Sequence, residues 1–141
     1  MTDTDRLEES MTFPSSLDQI AKADDFLESR LRGKGISEDT IANLAIAVTE
    51  LVNNAIKHGN KLKKSKIVRV DLYCDSGRIE VTVSDEGNGF DPHDIPNPLA
   101  EENLLKEIGR GIFIVNSLID EVKFQFPPEG GTKVTIIKNI E

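Results

Sequence analysis

Apolar residues recur along this chain with two different periods, and the switches between them divide it into elements. Over residues 16–32, Leu17, Ile20, Leu27 and Leu31 fall at mostly helical spacings, and Gly33 and Gly35 then supply stop signals. The next stretch carries the clearest pattern. Ser37 can cap a helix whose Ile41, Leu44, Ala45, Val48, Leu51, Val52 and Ala55 form one apolar stripe ending near His58 and Gly59. Period two takes over at 66–74, with Ile67, Val68, Val70, Leu72 and Tyr73, and again at 78–84, where Ile79, Val81 and Val83 alternate. Asp75-Ser76-Gly77 between them reads as a hairpin turn. Residues 7–13 give a first strand closed by Pro14. A third helix is expected over 110–119, followed by strands at 121–126 and 132–138 joined by a turn over 127–131. Residues 86–108 hold glycine and proline clusters with no sustained period, so they read as a loop region with one short helix over 98–105. Helices and hairpins in this order imply an α+β, two-layer sandwich.

Composition narrows the function classes. A chain of 141 residues suits one domain spanning 1–141. No apolar run is long enough to span a bilayer. The start, MTDTDRLEES, lacks the basic and apolar regions of a signal peptide, and the single Cys74 reads as a buried strand residue with no redox role. A cytoplasmic location and no membrane association are expected. The net charge of -8 argues against direct nucleic-acid binding and leaves a protein or a small ligand as the partner. The basic run Lys61, Lys63, Lys64 and Lys66 reads as a solvated connecting loop.

Candidate chemistry begins on the second helix. At about 100° per residue, Glu50, Asn54 and Lys57 share a stripe roughly opposite the apolar one. An exposed polar face accounts for such a trio. So does a phosphate site, in which the Asn54 oxygen meets a hard cation such as Mg²⁺, Lys57 meets phosphate charge and Glu50 acts as a general base. His58, at the helix end, suits the helix dipole.

Three glycine turns follow. Ser84-Asp85-Glu86-Gly87-Asn88-Gly89 closes an alternating strand. Gly87 and Gly89 permit a sharp turn close to a ligand, and Asp85 could accept a hydrogen bond from an exocyclic amine; an ordinary Asn-Gly loop is the alternative. An EF-hand is excluded because glycines stand where oxygen ligands are needed. Gly109-Arg110-Gly111-Ile112 opens the third helix, where free amides favour an anion, unless it is simply a hinge. It is neither a P-loop nor a dinucleotide fingerprint. Gly130-Gly131-Thr132 could place a hydroxyl near a base, or be only a turn.

Taken in order, TELVNNAIKHGN, SDEGNGFDP, GRGIFIV and GGTKV resemble the N, G1 and G2 boxes and final strand of the GHKL ATPase superfamily of gyrase, the heat-shock chaperone, histidine kinases and mismatch-repair proteins. Over roughly residues 37–141, and in overall length, the chain is most similar to the anti-sigma-factor serine/threonine-protein kinases of partner-switching systems. The resemblance implies a two-layer α/β sandwich with helices on one face of a mixed, mainly antiparallel sheet. It also implies ATP as cofactor, Mg²⁺ on Asn54, adenine on Asp85, and phosphates wrapped by Gly109 to Gly111. Glu50 would activate a hydroxyl on an anti-anti-sigma protein, a sigma factor would be the second partner, and a homodimer is implied. Histidine kinases usually carry Asn where this chain has Glu50, and they carry a phosphoacceptor helix for which there is no room here. The segment 91–108 is short and proline-rich for an ATP lid, and GRG stands where a longer glycine cluster is common. The alternative functions are a nucleotide-binding module that docks a partner without phosphotransfer, and an ATP hydrolase in which Glu50 activates water.

Overall fold

The computed structural model describes residues 6–87 and 109–140. Its elements are β1 (Leu7–Pro14), α1 (Ile20–Gly33), α2 (Glu38–Asn54), β2 (Ile67–Cys74), β3 (Arg78–Ser84), α3 (residues 109–118), β4 (Glu121–Gln125) and β5 (Lys133–Asn139). These match the periodicities to within a few residues. The short helix expected over 98–105 and the turn residue Gly89 lie outside the described residues.

The strands form one sheet in the order β1-β2-β3-β5-β4, and every neighbouring pair is antiparallel. Because β5 lies between β3 and β4, those two strands run in the same direction, and the chain crosses from one to the other by way of α3. Among the described residues the sheet is therefore wholly antiparallel, and the parallel pairing that a mixed sheet would need does not occur.

Alternation sorts the two faces. Met11, Val70, Val83, Val134 and Phe124 are register partners across all five strands, and they form an apolar row on the inner face. The opposite face carries Ser10, Asp71, Thr82, Thr135 and Lys123 in register, where the Thr82 and Thr135 hydroxyls pair at 2.8 Å. Only the apolar face needs a second layer. Helix α1 covers it with Ala23, Leu27 and Leu31, and α2 with Ile41, Leu44, Val48 and Val52, all buried. Val115 of α3 joins the same core.

Two polar contacts fix how the helices sit. The Ser37 hydroxyl accepts the Thr40 N–H at 3.3 Å and caps α2. The Thr49 hydroxyl donates to the Asp24 carboxylate at 2.9 Å, tying α2 to α1 one residue before Glu50. The end of α2 departs from a plain helix. Ala55–Gly59 is wound as a π turn, closed by Asn60 N–H donating to Ala55 O at 2.8 Å. Such one-residue expansions are frequent at functional sites. Lys61 and Leu62 follow with φ of 53° and 60°, and the basic run beyond them is exposed, as a connecting loop should be. Cys74 is buried in β2. Among the described residues no helix is long and apolar enough to cross a membrane.

Leu44 is fully buried between α2 and the sheet layer. Leu44→Ala is expected to lower unfolding free energy by about 3 kcal/mol through lost burial and a residual cavity. Urea denaturation checks this; a change below about 1 kcal/mol would mean that the two layers do not meet there.

Candidate active site

Asp85 stands two residues beyond Val83 on the inner face of β3, so the alternation that buries Val81 and Val83 also carries a carboxyl inward. The Asp85 carboxyl is half-buried and needs donors in place of the water it loses. Its Oδ1 accepts the Gly87 N–H at 2.9 Å and the Thr132 N–H at 3.2 Å, while the Asp85 N–H donates to Thr132 O at 3.0 Å. Burial pushes the Asp85 carboxyl above its ordinary value, with the Gly87 and Thr132 amides and nearby Lys66 working the other way.

The surroundings of this carboxyl leave no room for side chains. A Cβ on Gly59 would stand 2.2 Å from Asp85 Oδ2, and one on Gly87 would stand 2.0 Å from Gly59 O. Gly131, at φ 85°, would place its Cβ 2.2 Å from Asp85 O. The end of α2, the turn after β3 and the start of β5 therefore meet backbone to backbone around one side chain.

Behind this turn lies Asn60, which is 1% exposed. Its Oδ1 accepts the Glu86 N–H at 2.8 Å, and its Nδ2 donates to Ser15 Oγ at 2.8 Å and to Ile67 O at 2.9 Å. The Glu86 carboxylate in turn accepts the Ile67 N–H.

In front of Asp85 opens a cleft with an accessible volume of about 90 Å³. Leu51, Asn54, Ala55 and His58 line it from α2 and the π turn. Val83 and Val134 form its floor, Ile112 comes from α3, Phe124 and Phe126 stand on the β4 side, and Thr132 lies beside Asp85. The cleft is thus largely apolar, with a few convergent polar groups.

Glu50 does not line this cleft but stands beside it, one turn before Asn54. A Cβ on Gly111 would lie 3.0 Å from Glu50 Oε2 and 3.5 Å from Asn54 Nδ2, so α3 crosses α2 directly over these two side chains. The structure brings Glu50, Asn54 and Gly111 together, and it brings Asn54, Asp85, Ile112 and Thr132 into one cleft with Gly87 bound to Asp85. Lys57 is half-buried, while Gly109 and Arg110 are exposed at the start of the described part of α3, and none of the three lines the cleft. Helix α3 is already wound at Gly109, one residue earlier than expected. Gly59, Asn60, Glu86 and the two phenylalanines are the residues that sequence reasoning left without a role. The Gly-Asn pair directly after the helix was the visible signal for the first two, and inward alternation through Val122 for the phenylalanines.

Residues 13–138 match the histidine kinase-like ATPase domain family. A serine-protein kinase RsbW of Staphylococcus epidermidis is 33% identical over 139 residues, covering 93% of this chain and 86% of that protein. A serine-protein kinase RsbW of Bacillus licheniformis is 36% identical over 110 residues, covering 74% and 68%. The chain belongs to the RsbW serine-protein kinases of the histidine kinase-like ATPase family. Its fold is shared with the crystal structure of the RsbU and RsbW domains of a Mycobacterium tuberculosis protein, at a TM-score of 0.65 and 20% identity, covering 94% of this chain and 32% of that one. Membership of the RsbW kinases makes the protein a serine/threonine kinase that uses ATP.

A half-buried carboxyl with a raised pKa favours the folded state below its unfolded value of 3.8, and that contribution is lost as pH rises through the raised folded value. In Asp85→Asn the amide oxygen can still accept both backbone N–H groups without the half-buried charge. The melting temperature of Asp85→Asn minus that of wild type is therefore expected to grow as pH rises above 3.8. Asp24, also raised by burial, is common to both proteins and cancels. A flat difference would contradict the burial argument.

Proposed function

We propose that this kinase phosphorylates a serine or threonine of an anti-anti-sigma antagonist protein and holds a sigma factor in its other state, acting as a homodimer in the cytoplasm. The observation that carries the reading is the convergence of Glu50 and Asn54 on Gly111, beside a cleft that ends at the half-buried carboxyl of Asp85.

Asp85, with Oδ1 occupied by two amides, is assigned to the exocyclic amine of adenine through Oδ2. Thr132 supports the base beside it, Gly87 and Gly89 shape the turn, and Phe124 and Phe126 offer an apolar wall. Asn54 and its neighbours suit Mg²⁺ in kind, since a neutral oxygen shares its shell with substrate phosphates. Among the described residues no group of three His, Cys, Asp or Glu could hold a metal by itself, so a site completed by phosphates fits the donor set. Lys57 and the segment Gly109, Arg110, Gly111 and Ile112 are assigned to the phosphates. Bound Mg-ATP supplies the phosphoryl group and the charge that neutralises it in transfer. Glu50, one turn from Asn54, takes the proton from the acceptor hydroxyl and so favours its attack.

Two substitutions separate these roles. Glu50→Gln is expected to bind ATP within about threefold of wild type and to lose phosphotransfer by a factor of roughly 10² or more, the usual contribution of a general base. Labelled ATP with the purified antagonist as acceptor checks this: transfer at the wild-type rate in Glu50→Gln would remove the general-base role, whereas no transfer by wild type itself would leave a docking module as the better reading. Asn54→Ala is expected to remove the Mg²⁺ enhancement of ATP affinity while the melting temperature in the absence of nucleotide stays unchanged. Calorimetry that finds equal enhancement in both proteins would overturn the metal assignment.

A further inference from the structure

Oδ2 of Asp85 faces the end of α2 at Gly59, while Oδ1 is fixed to the backbone of its own turn and of β5. Where Oδ2 points within the cleft therefore depends on how the 85–87 turn is registered against Gly59, two segments with no covalent reason to stay aligned. Three hydrogen bonds form a closed ring that sets this register. Glu86 N–H donates to Asn60 Oδ1, Asn60 Nδ2 donates to Ile67 O, and Ile67 N–H donates to the Glu86 carboxylate. Asn60 uses its amide as donor and acceptor at once and is 1% exposed, so neither an acid nor an aliphatic residue of the same size can replace it. Ser15 Oγ accepts the remaining Nδ2 hydrogen at 2.8 Å and donates to Lys66 O at 2.6 Å, which anchors the ring to the end of β1.

We propose that Asn60 and Glu86 are positioning residues for base selection: their ring with Ile67 holds the Asp85 carboxylate where it accepts from an exocyclic amine and repels a keto oxygen at the same place. The proposal rests on the adenine assignment of Asp85. A fixed acceptor rejects a purine that presents oxygen in place of the amine, because two acceptors are forced together. A turn free to shift relaxes that rejection while the apolar walls and the phosphate contacts go on binding. Loss of the ring thus acts on discrimination more than on affinity.

The test compares ATP with inosine triphosphate, which differs at the exocyclic position. Calorimetry on the full chain with Mg²⁺ gives both dissociation constants for wild type, Asn60→Ala, Glu86→Ala, Glu86→Gln and Asp85→Asn, and thermal melts check folding. In Asn60→Ala and Glu86→Ala the preference for ATP is expected to fall by roughly tenfold or more, the order of one charged hydrogen bond, with inosine triphosphate affinity nearly unchanged. Glu86→Gln retains an acceptor for the Ile67 N–H and is expected to keep the preference. Equal weakening of both nucleotides, or an unchanged ratio in folded Glu86→Ala, would overturn the proposal. Because the Glu86 side chain is exposed, that variant decides the matter if Asn60→Ala fails to fold. Asp85→Asn keeps the readings apart: an unchanged ratio there removes the adenine assignment itself, whereas a collapsed ratio there with an intact one in Glu86→Ala removes only the positioning role.

Discussion

The partial desolvation of one half-buried carboxyl group organises this molecule around its cleft. Asp85 lies on the inner face of β3, and its charge can stay there only if donors replace the lost water. Gly87 and Thr132 supply them from the turn after β3 and the start of β5. Bringing two such backbones onto one side chain, with the end of α2 against its other oxygen, leaves no volume for a Cβ at Gly59, Gly87 or Gly131. The raised pKa of Asp85 records that its desolvation outweighs these favourable contacts. A ligand that donates to this carboxyl would offset part of its desolvation.

The sheet order makes the remainder of the site possible. With β5 between β3 and β4, Thr132 arrives beside Asp85, and the chain must pass over the helical layer to reach β4. That passage is α3, whose Gly111 lies on Glu50 and Asn54. The two sides of the site, the cleft and the Glu50 carboxylate beside it, therefore come from different parts of the topology. Asp85 and Thr132 belong to strand ends, and Glu50 and Asn54 to a helix face.

Much of the architecture was legible because it is written in local periods. The alternation of Ile79, Val81 and Val83, the stripe from Ile41 to Ala55 and the Ser37 cap each report on neighbours within a few residues. Glu50 and Asn54 were visible for the same reason, as residues one turn apart on the polar side of a helix. What escaped notice depends on distant partners. Asn60 reads as a residue after a helix until Ser15, Ile67 and Glu86 close on it. Gly131 reads as a hairpin glycine until Asp85 O is found against it. The π turn at Ala55–Gly59 has no signature in apolar spacing, since it adds one residue to a turn without disturbing the stripe before it.

The account stands or falls on the orientation of the nucleotide. The most direct measurement is a crystal structure of the chain with Mg²⁺ and a non-hydrolysable ATP analogue. It should place the exocyclic amine of adenine within hydrogen-bond distance of Asp85 Oδ2 and the terminal phosphate between Glu50, Asn54 and Gly111. A base bound away from Asp85, or phosphates directed away from Glu50, would contradict it.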